Sequence, residues 1–460
     1  MKGNLSITSG EIAAVTGGRI LCGGRGIAVT DVTTDSREPA GLYIPIVGEK
    51  FDGHDFIEEL CRSGSVKCCM TMKTGYEKIA ESTGTGLILC DDTLKALGAL
   101  GKHHRDRFRP LMVGVTGTNG KTTTKELIHI VLSSAYTAHK NVKNYNNEIG
   151  VPFTLMQIDE NFSAAVIEMG MNHTGEIERL AMMVQPDIGV ITSIGAGHLE
   201  FLGSVENVAF AKCEIMNGMK PGSTLIANRD TECFHIIARL AAEHGLGLVT
   251  YGLNPEAQIK PDGYTLTEES TTVVYKKVKV TVPLYGKHNI HNILAALAVA
   301  ETAGIDLGKA ASALSSFENI GGRSEIIHSG YTVINDTYNS NPLSSLYALE
   351  SVCDVFPGRK RFAVLADMKE LGESSPLYHM KVGEFVADRK FDGLFLFGEM
   401  SQYYADGAQR VGMKPERIKI FGSKDELSGH LKSFLADGDV LLVKGSRSMK
   451  MEDVVNSIVK

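Results

Sequence analysis

Residues 111–132, LMVGVTGTNGKTTTKELIHIVL, constrain the fold more than any other stretch of the chain. Leu111 to Val115 is an apolar run of strand length, and Leu127, Ile128, Val131 and Leu132 recur at helical spacing. Between them Gly114, Gly117 and Gly120 mark a tight turn. Strand, glycine turn and helix in that order open a parallel βα unit, whose sheet needs helices on both faces. The expected fold class is therefore α/β.

The turn runs directly into Lys121, Thr122, Thr123 and Thr124. Small residues let successive N–H groups converge on phosphate oxygens at a helix N-terminus, where the peptide dipoles also favour an anion. Gly117, Thr118, Asn119, Gly120, Lys121, Thr122 and Thr123 are thus candidate phosphate contacts, with Lys121 aimed at the β- and γ-phosphates. The Thr122 hydroxyl is a candidate Mg²⁺ ligand. The strict phosphate-loop pattern has glycine at position 115, where this chain has Val115, so GTNGKT is a variant. An ordinary turn would explain the glycines but not the Lys-Thr pair that follows.

Further ligands for such a cation should lie just beyond the carboxyl ends of neighbouring strands. Glu168 ends the apolar run AAVIEMG, where a carboxylate is costly unless paired or ligating. His198 follows the apolar run DIGVITSIGAG. Each taken alone reads as a hydrogen-bonded strand-end residue; beside a phosphate loop the two read as a metal pair.

At 460 residues the chain exceeds one core, and about 150 residues per domain gives roughly three. A small α/β domain is expected over 1–108, with strands near Ile27–Val32 and Tyr43–Val47 and a helix from Asp55 to Cys61. The phosphate-loop domain, a parallel sheet, is expected over 109–322. Within it, TTVVYKKVKVTVPL alternates with period two, which predicts antiparallel strands between Tyr251 and Leu284. A Rossmann-like sheet is expected over 323–460, with strands at YTVIND, RFAVLAD, GLFLFG, RIKIFG and DVLLVKG, and Gly321–Gly322 as the hinge before it.

A net charge of −7 argues against a nucleic-acid partner. No run is long and apolar enough to span a bilayer, and the N-terminus lacks a secretory pattern, so a cytoplasmic location is expected. The eight cysteines show neither zinc-ligand nor disulfide-framework spacing and are expected to be reduced core residues.

GTNGKT, IEMG, GAGHLEFLGSVENVAFAKCEI, GKHNIHN, GGRSE and INDTYNSNP, in this order, resemble the Mur ligases over nearly the whole chain. That resemblance implies an ATP-dependent, amide-forming enzyme of peptidoglycan synthesis with three domains. It implies that Lys212 is carbamylated and helps hold a second Mg²⁺, and that Glu168 and His198 are magnesium ligands. Asn289 and Asn292 match positions near adenine, Arg323 the arginine that approaches the γ-phosphate, and Asp336 the acid that binds ribose. The implied catalytic set is Lys121, Lys212, His198 and Arg323.

Within the family, DSREPAGLYIPIVGEKFDGHDFI resembles the uridine-nucleotide module, with Ser36 and Arg37 as its contacts. The D-N-P-R signature of the third-residue ligase is absent. YNSNP and LADMKELGESS instead resemble the member that attaches D-alanyl-D-alanine to UDP-N-acetylmuramoyl-tripeptide, with Asn146, Asn147, Asn339 and Ser340 as candidate substrate contacts. The expected assembly is a monomer. The alternatives are another ligase of this architecture, such as the third-residue ligase or a folylpolyglutamate synthase, and, from a different class, a phosphate-loop kinase or nucleotide switch.

Overall fold

The structure is a computed structural model that describes residues 2–48, 50–318 and 322–459. Three α/β sheets follow one another along the chain.

The central sheet has six strands, all parallel, in the order Gly247–Tyr251, Thr224–Asn228, Ile188–Ile191, Leu111–Thr116, Ala164–Glu168, Ala138–Lys140. Ala164–Glu168 and Ile188–Ile191 are buried along their whole length, which is why they read as unbroken apolar runs rather than alternating ones. The strand that carries the glycine turn lies between them, so the ends of all three open on one edge. Helix Lys121–Ser133 packs against the apolar helix Asn289–Thr302, in which Ile290 and every residue from Asn292 to Ala300 are buried.

The period-two stretch forms the expected antiparallel sheet, Gly263–Leu266, Thr271–Tyr275 and Val278–Val282. Its second turn is made by Lys276 and Lys277, both at positive φ, a turn that the sequence does not advertise with glycine or asparagine.

The first sheet places four parallel strands, Ala28–Thr33, Ala40–Tyr43, Val66–Thr71 and Gly86–Leu89, between antiparallel edges Lys2–Thr8 and Arg19–Cys22. The strand expected at Tyr43–Val47 ends at Tyr43 instead; Pro45 just beyond has no N–H for a ladder. The helix expected from Asp55 is Ile57–Ser63, preceded by a tight turn, Gly53–Phe56, in which the Asp52 carboxylate accepts from His54 N at 2.9 Å. Phe153 and Met156 of the central domain complete this first core.

The last sheet has six strands, not five. Glu325–Ser329 runs antiparallel to Tyr331–Asp336, followed in order by Val440–Lys444, Arg361–Ala366, Gly393–Phe397 and Ile418–Phe421, all parallel. Gly330, at φ +77°, makes the extra hairpin. Of the expected hinge, Gly321 lies outside the described residues; Gly322 is at φ +74°. The eight cysteines are free thiols, six of them buried. No helix among the described residues is long and apolar enough to cross a membrane.

The last sheet meets the central domain at two seams. At the outer one, Tyr285 and Phe356 pack with ring centroids 6.0 Å apart, flanked by Lys287–Glu350 at 3.1 Å and Arg359–Glu268 at 3.5 Å. The inner seam is the functional edge itself.

Candidate active site

Two positions in the turn favour glycine. Gly117 adopts φ +145°, and a Cβ there would lie 2.1 Å from Thr192 Oγ1. At Gly120, φ +82°, a Cβ would lie 2.6 Å from Asn292 Oδ1. Thr118 N donates to Ser193 O at 2.8 Å and Asn119 N to Ser193 Oγ at 2.9 Å, so the end of the neighbouring strand fixes the first half of the loop. The amides of Gly120, Lys121, Thr122 and Thr123 have no partner among the described residues. These are the free donors of a helix N-terminus, available to an anion.

Lys121 folds back over the loop, donating to Gly117 O at 2.7 Å and Thr118 O at 3.1 Å. Burial lowers its pKa, with the charge of Glu168 opposing the shift. Glu168 is buried at the strand end: Asn146 Nδ2 donates to Oε1 at 2.7 Å, and the Asn141 amide brackets the backbone, accepting from Glu168 N at 2.9 Å and donating to its carbonyl at 2.8 Å. The other carboxylate oxygen, Oε2, is buried without a partner. An orphaned buried oxygen beside a phosphate-type loop suits a cation.

Lys212 is fully buried, and its Nζ has no hydrogen-bond partner. Desolvation, reinforced by Lys121, pushes its pKa well below the ordinary lysine value, which favours the neutral amine. His198, in the left-handed region at φ +55°, precedes the short helix Leu199–Leu202, and its Nδ1 lies 2.7 Å from Glu370 Oε2 of the last domain. Among the described residues, no three or more His, Cys, Asp or Glu gather to hold a metal on their own. Thr122, Glu168 and His198 line one cleft, and the unpartnered Glu168 oxygen is a donor of the kind magnesium takes, a cation that commonly draws its remaining ligands from water and phosphate.

From the far side, Arg323 Nη2 donates to Thr122 Oγ1 at 3.2 Å, its guanidinium stacked 3.9 Å over the Tyr338 ring. Asp336 is gripped by Lys444 Nζ at 2.5 Å and by Ser324 N at 3.1 Å. Asn119 and Asn341 exchange side-chain amide hydrogen bonds at 3.0 and 2.7 Å, tying the loop to the cap of helix Pro342–Val355.

Of the residues singled out in the sequence, all but Ser36, Arg37, Gly117, Lys212 and Ser340 line one cleft of about 410 Å³ between the central and last domains. Asn292 accepts from Thr124 Oγ1 at 3.1 Å and donates to Asn289 Oδ1 at 2.8 Å. Asn147 Oδ1 accepts from Gly150 N at 2.9 Å, in the turn that leads into helix Gly150–Leu155. Ser340 is buried against Ser345, and Ser36 and Arg37 sit in the first domain, where Arg37 forks onto Asp35 at 2.7–2.8 Å.

Sequence reasoning missed Asn341, Tyr338, Lys444 and Glu370. Asn before Pro is a helix-cap signal that could have revealed the first. A lysine closing the apolar run DVLLVK was a signal for Lys444.

Two family models match, the Mur ligase middle domain over residues 115–300 and the Mur ligase, glutamate ligase domain over 322–447. The UDP-N-acetylmuramoyl-tripeptide–D-alanyl-D-alanine ligase of Bacillus subtilis (strain 168) is 37% identical over 437 residues, 93% of each chain. The chain belongs to the Mur ligase family. The Escherichia coli (strain K12) protein of the same description is 30% identical over 99% of this chain and 98% of its own. Among solved Mur ligases, crystal structure I of MurF from Acinetobacter baumannii superposes with a TM-score of 0.89 at 26% identity, covering 99% of both chains. MurF ligase from Thermotoga maritima in complex with ADP superposes at 0.81 and 26% identity, over 93% of this chain and 96% of its own. The three-domain α/β architecture is that of these Mur ligases, and the chain is an ATP-dependent ligase of peptidoglycan synthesis.

Proposed function

We propose that this ligase joins the amine of D-alanyl-D-alanine to the terminal carboxylate of UDP-N-acetylmuramoyl-tripeptide, with ATP converted to ADP and phosphate. The single observation that carries the reading is the cleft in which Lys121 and four free loop amides meet Arg323 from the opposite domain. A carboxylate is a poor electrophile, so one of its oxygens must first become a leaving group. Its attack on the γ-phosphorus forms an acyl phosphate and expels ADP. Lys121, Arg323 and the helix N-terminus offset the charge that spreads over the phosphoryl oxygens. The dipeptide amine then attacks the acyl carbon, loses a proton, and inorganic phosphate departs.

Thr122, Glu168 and His198 would hold magnesium, which when bound supplies charge neutralisation at the phosphates. A neutral amine is the form that adds CO₂, burial favours that form at the unpartnered Lys212, and we assign Lys212 as the carbamylated second metal ligand. Asp336 and Lys444 would meet the ribose, Asn289 and Asn292 the adenine side, and Ser36 and Arg37 the uridine nucleotide in the first domain. Asn146, Asn147 and Asn339 would meet the peptidyl substrate, while Ser340, buried behind them, supports that loop. The first domain holds the UDP substrate and the last delivers the dipeptide.

Acceptor-dependent phosphate release tests the assignment. With ATP and UDP-N-acetylmuramoyl-tripeptide, phosphate should appear on adding D-alanyl-D-alanine and not on adding glutamate or diaminopimelate; the reverse preference would reassign the chain within the family.

A further inference from the structure

We propose that Glu370, supplied by the last domain, is a positioning residue that fixes the His198 ring for metal ligation, so that the metal site is completed only when that domain is seated. The proposal rests on the reading of His198 as a magnesium ligand. The Glu370 carboxylate reaches across the domain boundary to within 2.7 Å of His198 Nδ1. His198 lines the cleft, and its buried Nδ1 makes no aligned hydrogen bond, so the Glu370 contact acts on the ring by charge at ion-pair distance. A carboxylate on Nδ1 favours the proton there and leaves the lone pair on Nε2, the nitrogen free to face a cation.

The backbone around this contact is built for it on both sides. Glu370 and His198 are both non-glycine residues in the left-handed region, at φ +64° and +55°, a conformation held only where surroundings dictate it. Glu200 N donates to Glu370 O at 3.1 Å, which seats the loop on helix Leu199–Leu202. Gly372, at φ +55°, allows close approach, since a Cβ there would lie 3.1 Å from Glu200 Cα. From the other side Met368 N donates to His379 Nε2 at 2.9 Å and Lys369 N to Ser446 Oγ at 2.8 Å, which anchors the loop within its own domain. The backbone that presents the carboxylate is thus hydrogen-bonded on both sides, while the Glu370 side chain itself is 47% exposed.

The test is Mn²⁺ affinity, read by electron paramagnetic resonance on the full-length protein with a non-hydrolysable ATP analogue. Glu370→Ala should weaken Mn²⁺ binding roughly tenfold to a hundredfold, and Glu370→Gln, which keeps an acceptor oxygen without its charge, by less. The KM for D-alanyl-D-alanine should stay unchanged in both. In a His198→Ala background, adding Glu370→Ala should cost nothing further. Unchanged Mn²⁺ affinity in Glu370→Ala alongside weakened binding in His198→Ala overturns the role of Glu370 and leaves the ligand reading standing. A raised dipeptide KM with unchanged Mn²⁺ affinity also overturns it, assigning Glu370 to the acceptor instead. Unchanged Mn²⁺ affinity in His198→Ala sinks both readings.

Discussion

Lys121 spends its ammonium group on the carbonyls of its own loop, at 2.7 and 3.1 Å, in a site where burial already disfavours its charge. A phosphate arriving at the four free amides offers a stronger partner, so the side chain has only to swing from the loop to the anion. Lys121→Ala should therefore lower kcat roughly a hundredfold to a thousandfold, the scale of losing one preorganised charge donor. It should not lower the melting temperature, because a desolvated charge is being removed; steady-state kinetics and calorimetry on the same sample check both. At this scale the motif residues were legible because glycine, lysine and threonine in that spacing have one common use. Lys212 was not: a helix lysine reads as solvated, and its burial depends on packing that no local pattern announces. Asn141 was invisible for the same reason, since its role is to bracket Glu168 from a separate segment.

Among the elements, the loop of residues 141–147 matters most, since it presents Asn146 to Glu168. It is held from beneath by Lys125, a fully buried side chain of the phosphate-loop helix that donates to Asn141 O at 3.0 Å and Lys143 O at 3.5 Å and lies 2.9 Å from Glu126. Lys125→Met keeps the length of the side chain and removes the charge. Hydrogen bonds to a charged donor are worth about 1.5–3 kcal/mol, so amide exchange over residues 141–147 should rise roughly tenfold or more, with no change in the last sheet. Parallel strands were legible as apolar runs, and the antiparallel lobe by its alternation. The strand Glu325–Ser329 was missed because it runs on into Tyr331–Asp336 with only Gly330 between them. In the first domain short strands and proline blurred the boundaries, so Ala40–Tyr43 was read a few residues late.

At the scale of the whole molecule, burial sets the response to acid. Burial pushes His129 and His288 down to about 4, and His104, His139 and His379 below the ordinary histidine value. The unfolded chain protonates these rings below about pH 6.5 while the folded one does not, so it binds more protons and stability falls with pH. The melting temperature should be level above that point and drop from about pH 6.5 towards 4, and His129→Gln should flatten the drop. None of the contacts between domains was legible, because each joins residues far apart in sequence. The exchange between Asn119 and Asn341 spans 222 positions. That pair carries no net charge, whereas the outer seam relies on Lys287–Glu350 and Arg359–Glu268. Dissolved ions screen the charged partners and leave two amides untouched. Brine should therefore loosen the periphery of the joint first, and the nucleotide end of it last.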